Sequence, residues 1–152
     1  MRITKDNINK FIKGTKLLFY NKGVTKIDYI PEGITDVECW NNELTKLPKL
    51  PNSLNFLDCS GNKLTKLPIL PENLEHLNCY DNKLTELTKL PDGLRSLECD
   101  ENELTELPKL PNTLLHLYCP HNNLPYEITL DNYKEKHNKL IKRKEILSKI
   151  CV

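Results

Sequence analysis

The sequence predicts a repeat solenoid. A curved parallel β-sheet lines its concave side and extended, polyproline-like chain its convex side, with a short helical cap at the N-terminus and a capping helix at the C-terminus. Three observations carry this expectation. A 20-residue period places Leu57, Leu77, Leu97 and Leu117 in one column, Cys39, Cys59, Cys79, Cys99 and Cys119 in the next, and Asn42, Asn62, Asn82, Asn102 and Asn122 in a third. Within each unit the segment x-L-x-C-x alternates at period two, as a short strand with Leu and Cys inward does. The following L-P-x-L-P segment cannot form the interior of a helix, because proline lacks the N–H and restricts the residue before it.

The chain divides into an N-terminal cap (1–15), a repeat array (16–130) and a C-terminal capping helix (131–152). In the first segment Thr4 or Asp6 can cap a helix running through Lys13, with Ile8, Phe11 and Ile12 on one face and Gly14 ending it. Residues 17–37 form a degenerate unit in register, with Phe19 in the Cys column and Lys22 in the Asn column. Five full units follow, beginning at Ile34, Leu54, Leu74, Leu94 and Leu114, and Thr88 interrupts the first Pro column once. Stacked units share a core that no unit buries alone, and strands of successive units pair about 4.8 Å apart. The Asn column falls where the chain leaves the strand, so its amides can satisfy turn backbone groups that burial would orphan. After Leu124 the period fades. Asp131 can cap a helix through about Ser148, with Tyr133, Leu140, Ile141, Leu147 and Ile150 on one side and a Lys-rich opposite side. Capping the open solenoid end is its expected role, and a basic amphipathic helix also suits an acidic membrane surface.

The unit reads L-x-x-L-x-C-x-x-N-x-L-T-x-L-P-x-L-P-x-x and resembles the leucine-rich repeat over roughly residues 17–130, with about eight columns agreeing across five copies. Its short form with the L-P-x-L-P tail resembles the repeats of bacterial secreted effectors and of giant-virus proteins. Such effectors often append a ubiquitin-ligase domain carrying a catalytic Cys. The 22 residues at 131–152 are too few for that domain, so the resemblance leaves a substrate-recognition fragment or adaptor as an alternative.

Charge is uneven along the chain. Residues 1–16 hold five basic residues against one acid and residues 131–152 seven against three, which leaves ten against seventeen for the repeats between. An acidic body with basic ends argues against a nucleic-acid-binding concave face. No apolar run approaches the ~18 residues of a membrane span, and Lys5, Asp6 and Lys10 interrupt any secretory core at the N-terminus. Five of the six cysteines share one inward position with no C-x-x-C pair. They read as small buried hydrophobes in a reducing compartment, the cytoplasm, or the host's cytoplasm for a viral or effector protein. Cys151 stands apart as a partly exposed thiol.

Alternation sends the residues flanking each inward Leu and Cys to the concave face. Among them are Tyr20, Glu38, Trp40, Phe56, Asp58, His76, Tyr80, Glu98, Asp100, His116 and Tyr118. Aromatic anchors amid polar groups are what protein-binding surfaces use, although aromatics also suit strands and cover one another across neighbours. The acidic surround points to a protein partner with a basic patch. Catalysis finds little support. His76 and His116 lie two strands apart, about 10 Å, beyond joint ligation of one metal ion. The cysteines point away from every surface His, so no Cys–His nucleophile is assembled. The expectation is a non-catalytic protein-interaction module without metal or cofactor; a structural or self-assembling repeat protein is the alternative.

Overall fold

The computed structural model describes residues 1–133 and 138–150; within the latter, the side chains of Leu140 and Ile150 fall outside the description. The expected partly exposed thiol of Cys151 lies outside the described residues as well.

Seven strands form one sheet. β2 (Ile12–Lys13) runs antiparallel to β3 (Lys16–Leu18). Beyond β3 the order is β5 (Asp36–Glu38), β6 (Phe56–Asp58), β7 (His76–Asn78), β8 (Ser96–Glu98) and β9 (His116–Tyr118), all parallel. The register advances by one repeat per strand, so Val37 pairs with Leu57, Leu57 with Leu77, Leu77 with Leu97 and Leu97 with Leu117. Two shorter strands, β1 (Arg2–Ile3) and β4 (Lys26–Ile27), form a separate parallel pair beside the first turn.

The core is the stack of repeated columns. Cys39, Cys59, Cys79, Cys99 and Cys119 are buried with Leu54, Leu57, Leu74, Leu77 and Leu97, and Phe19 fills the Cys position of the first unit. Outer segments such as Leu67–Leu70 carry neither helix nor strand and turn back toward the sheet where the N–H of Leu74 donates to the Pro71 carbonyl at 3.1 Å. The same bond recurs at Leu54, Leu94 and Leu114. Thr88, in the first Pro column, keeps a buried hydroxyl with no hydrogen-bond partner among the described residues.

The buried Asn column ties consecutive turns together. Asn62 Nδ2 donates to the carbonyls of Cys39, Cys59 and Ser60, each at 3.0 Å, and its Oδ1 accepts the Leu44 N–H at 3.0 Å. Asn42, Asn82, Asn102 and Asn122 repeat the pattern. Lys22, which takes the Asn position in the first unit, needs no such role, because Asn42 Oδ1 accepts its N–H at 3.1 Å.

Both ends depart from expectation. Instead of a helix through Lys13, the N-terminus forms a four-residue 3-10 turn, Ile8–Phe11, entered through Asn7, whose Oδ1 accepts the Thr4 N–H at 2.8 Å. Ile12–Lys13 then become β2. Gly14 and Thr15 make a two-residue hairpin connection with Gly14 at φ 61°, a turn signal that outweighs the helical spacing of Ile8 and Ile12. This short strand covers the sheet's first edge, which would otherwise offer unpaired backbone groups.

At the C-terminus α1 (Leu130–Asn132) starts after Thr129 rather than at Asp131, with the Thr129 N–H donating to Asn132 Oδ1 at 3.0 Å. Tyr133 is buried against the core. α2 (Asn138–Ile150) is held to the last outer segments by its first half. Asn138 exchanges two bonds with the Leu110 backbone (3.1 and 3.0 Å), and Lys144 pairs with Glu106 at 3.0 Å. Ile141 is half-buried, whereas Leu147, expected on the same capping side, is 51% exposed. Six residues from Ile141 is about one and two-thirds turns, which sets Leu147 a third of a turn round the helix from it.

Candidate protein-binding face

Each strand presents one inward residue between two outward ones. Leu57 is buried between half-buried Phe56 and Asp58, and Leu77 between His76 and Asn78. The sheet therefore displays ladders spaced by one repeat. The first pair of its strand-exit ladder is aromatic: Tyr20 and Trp40 stack with ring centroids 4.6 Å apart and planes 5° from parallel. Trp40 is half-buried and Tyr20 40% exposed. Phe56 meets His76 in the next row at 6.0 Å, tilted by 39°. Further along, Tyr80 and Tyr118 are exposed.

Acidic groups surround these rings. Glu38, Asp58 and Glu98 are half-buried. Asp36 is held by Lys16 (3.0 Å) and by the Thr35 hydroxyl (2.6 Å), and its pKa stays below the usual carboxylate value because these bonds outweigh its partial desolvation. Asp58 accepts the Ser60 hydroxyl at 2.6 Å. Glu98 lies 3.6 Å from His116. Glu101 beside Tyr80, followed by desolvation and the carboxylates of Asp81 and Asp100, pushes the phenol's pKa up. Asp100 departs from the expected outward charge: it is buried, and desolvation first, then Glu101 and Glu98, raises its pKa. Strand alternation gives it the right side but says nothing of its depth there.

His76 and His116 face Ser96 from the two flanking strands and do not meet. Among the described residues no group of three or more His, Cys, Asp or Glu is arranged to hold a metal ion. Burial raises the pKa of every column thiol, that of Cys119 to about 11.

Two further features belong to this face and its C-terminal end. Asn21, Asn41, Gly61, Asp81, Glu101 and His121 all adopt positive φ, between 48° and 59°, at the strand exits. Asn, Gly and Asp in that column were the available signal. At the C-terminal end an open hollow of about 470 Å³ lies between β9 and the Tyr126–Thr129 segment, lined by Leu117, Tyr118, Cys119 and His121 among others.

This architecture has solved counterparts. The LRR domain of a Shigella effector matches with a TM-score of 0.75 at 33% identity, covering 84% of this chain and 57% of its own. YopM, a leucine-rich effector protein from Yersinia pestis, matches at TM-score 0.65 and 34% identity over 68% of this chain. The chain is a leucine-rich-repeat protein. YopM from Yersinia enterocolitica WA-314 matches at 0.58 and 25% identity over 73% of this chain. The leucine-rich-repeat chain spans just over half of the Shigella domain and about a third of each YopM (57%, 32% and 30%). No protein-family model and no curated protein matches its sequence. Among its described residues no helix is long and apolar enough to cross a membrane.

Proposed function

We propose that this leucine-rich-repeat chain is a non-catalytic protein-interaction module. Its partner docks on the concave face, over Tyr20, Trp40, Phe56, His76, Tyr80, His116 and Tyr118. Glu38, Asp58 and Glu98 supply charge, and a basic patch on the partner answers it. The stacked Tyr20–Trp40 pair is the observation that carries the reading. Two large rings held parallel on a solvated sheet give wide contact area at little further loss of side-chain freedom, which is what binding hot spots require. A non-catalytic role is supported by thiols sequestered in the core and by a His116 engaged with Glu98. Five buried free thiols also favour a reducing compartment, such as the cytoplasm of a cell that an effector enters.

The test is affinity capture from host lysate with the wild type beside Trp40→Ala/Tyr80→Ala. Capture is lost in the double variant while the melting temperature holds, and salt slows association with the captured protein. Undiminished capture by the double variant sinks the assignment of the face. A self-assembling role makes the opposite demand, a scattering mass that grows with protein concentration.

A further inference from the structure

The second half of α2 stands apart from the array. Its anchors, Asn138, Ile141 and Lys144, lie on one side and fix which side looks outward. Among the described residues no hydrogen bond or ion pair ties anything after Glu145 to the repeats. The outward side is not the plain polar surface of a capping helix. Ile146 and Leu147 are 50% and 51% exposed. Arg143 precedes them by three and four residues, and Lys142 and Lys149 neighbour Ile146 at the same spacings. α2 carries Lys139, Lys142, Arg143, Lys144 and Lys149 against one acid, Glu145, although the repeats are strongly acidic.

We infer that this face, Arg143, Ile146 and Leu147 flanked by Lys142 and Lys149, docks on an anionic lipid bilayer. The pattern fits the interface between headgroups and acyl chains. Two aliphatic side chains enter the boundary while long basic side chains stay level with the phosphates and serine carboxylates. A second copy of α2 is a poor occupant, because its own Lys142, Arg143 and Lys149 would face like charge. The acidic repeats are repelled by the same bilayer, so the array stands away from the surface and its concave face stays open. The inference is therefore independent of any partner bound there.

The experiment is co-sedimentation of the full chain with vesicles of phosphatidylcholine alone and of phosphatidylcholine with phosphatidylserine. Binding is expected only to the mixed vesicles, weakening as salt is raised. Ile146→Asp/Leu147→Asp lowers the bound fraction about tenfold or more, and Lys142→Gln/Arg143→Gln/Lys149→Gln does the same. Neither set touches Asn138, Ile141 or Lys144, and circular dichroism checks that the fold is kept. The inference is overturned by failure to bind mixed vesicles or by undiminished binding of the Asp variant. Retention on polyglutamate without vesicle binding would assign the helix to an acidic protein instead. Self-association lost in the same variants, again without vesicle binding, would assign it to a second copy.

Discussion

Asn62 Oδ1 accepts the backbone N–H of Leu44 at 3.0 Å, so one side chain closes the turn of its own unit and fastens the unit before it. Its amide also serves three carbonyls, two of them belonging to buried cysteines. Asn62→Ala leaves the buried Leu44 N–H unpaired and takes one donor from each of the three carbonyls, which keep Asn42 Nδ2, Asn82 Nδ2 and the Asn41 N–H as partners. The expected loss is about 2–4 kcal/mol in a denaturant titration. Asn123→Ala, one residue beyond the column on an exposed site, is expected to change little. Equal midpoints for the two variants would refute the ladder's role.

The strand-exit column makes a separate demand on the backbone. Glu101 sits at φ 48° and Gly61 at φ 59°, a region that a side chain with a Cβ enters at a cost. Glu101→Gly should therefore stabilise the chain by about 1 kcal/mol despite glycine's freer unfolded state, and Gly61→Ala should destabilise it by a similar amount. The new Cβ at 61 would lie 3.4 Å from the Asn41 backbone, an ordinary contact, so conformation rather than crowding sets that cost. Thermal melts of both variants with shifts of the same sign would contradict it.

These two columns show what was legible in the sequence. The strand phase was, because Leu57 and Cys59 recur with side chains whose only sensible place is the core, and Asn62 recurs where a turn must be satisfied. The left-handed column is legible only in part: Asn41, Gly61 and Asp81 hint at it, whereas Glu101 and His121 carry no mark of the backbone beneath them and are placed there by the period. At the N-terminus Ile8, Phe11 and Ile12 fit helical spacing, yet the Gly14–Thr15 turn decides the outcome. Alternation puts Asp100 on the correct face, but its exposure depends on what packs around it and not on the alternation of its own strand. The anchored side of α2 was equally hidden, since Asn138 reaches backbone 28 residues away.

Asp100 yields a pH-dependent prediction. Its native pKa lies above the ordinary value of 3.8 because burial disfavours the carboxylate. The folded chain then binds more protons than the unfolded one between those two values. Its contribution to stability is fully present below the unfolded value and is lost as pH rises through the native value. Asp100→Asn removes that loss. Melting temperatures of variant and parent should be close in acid, separate in the variant's favour across that window, and stay separated at neutral pH. A variant less stable than its parent at neutral pH would show that the carboxylate is favourably paired there.

Asn138 holds the base of α2 through two bonds to the Leu110 backbone, 28 residues back along the chain. The Leu110 N–H is part-buried, so without Asn138 Oδ1 it has to find water. Asn138→Ala should raise the exchange rate of the Leu110 amide about tenfold, as loss of a bond worth about 1.4 kcal/mol would, while the Leu64 amide, held by Asn82 at 3.0 Å, keeps its protection. Asn138→Asp separates the two bonds: an ionised carboxylate still accepts from the Leu110 N–H but cannot donate to its carbonyl. Leu110 exchange in the Asp variant should therefore stay near that of the parent. Equal acceleration in both variants would mean that α2 is released whichever bond is broken, and that the pair acts as one clamp rather than as two contacts.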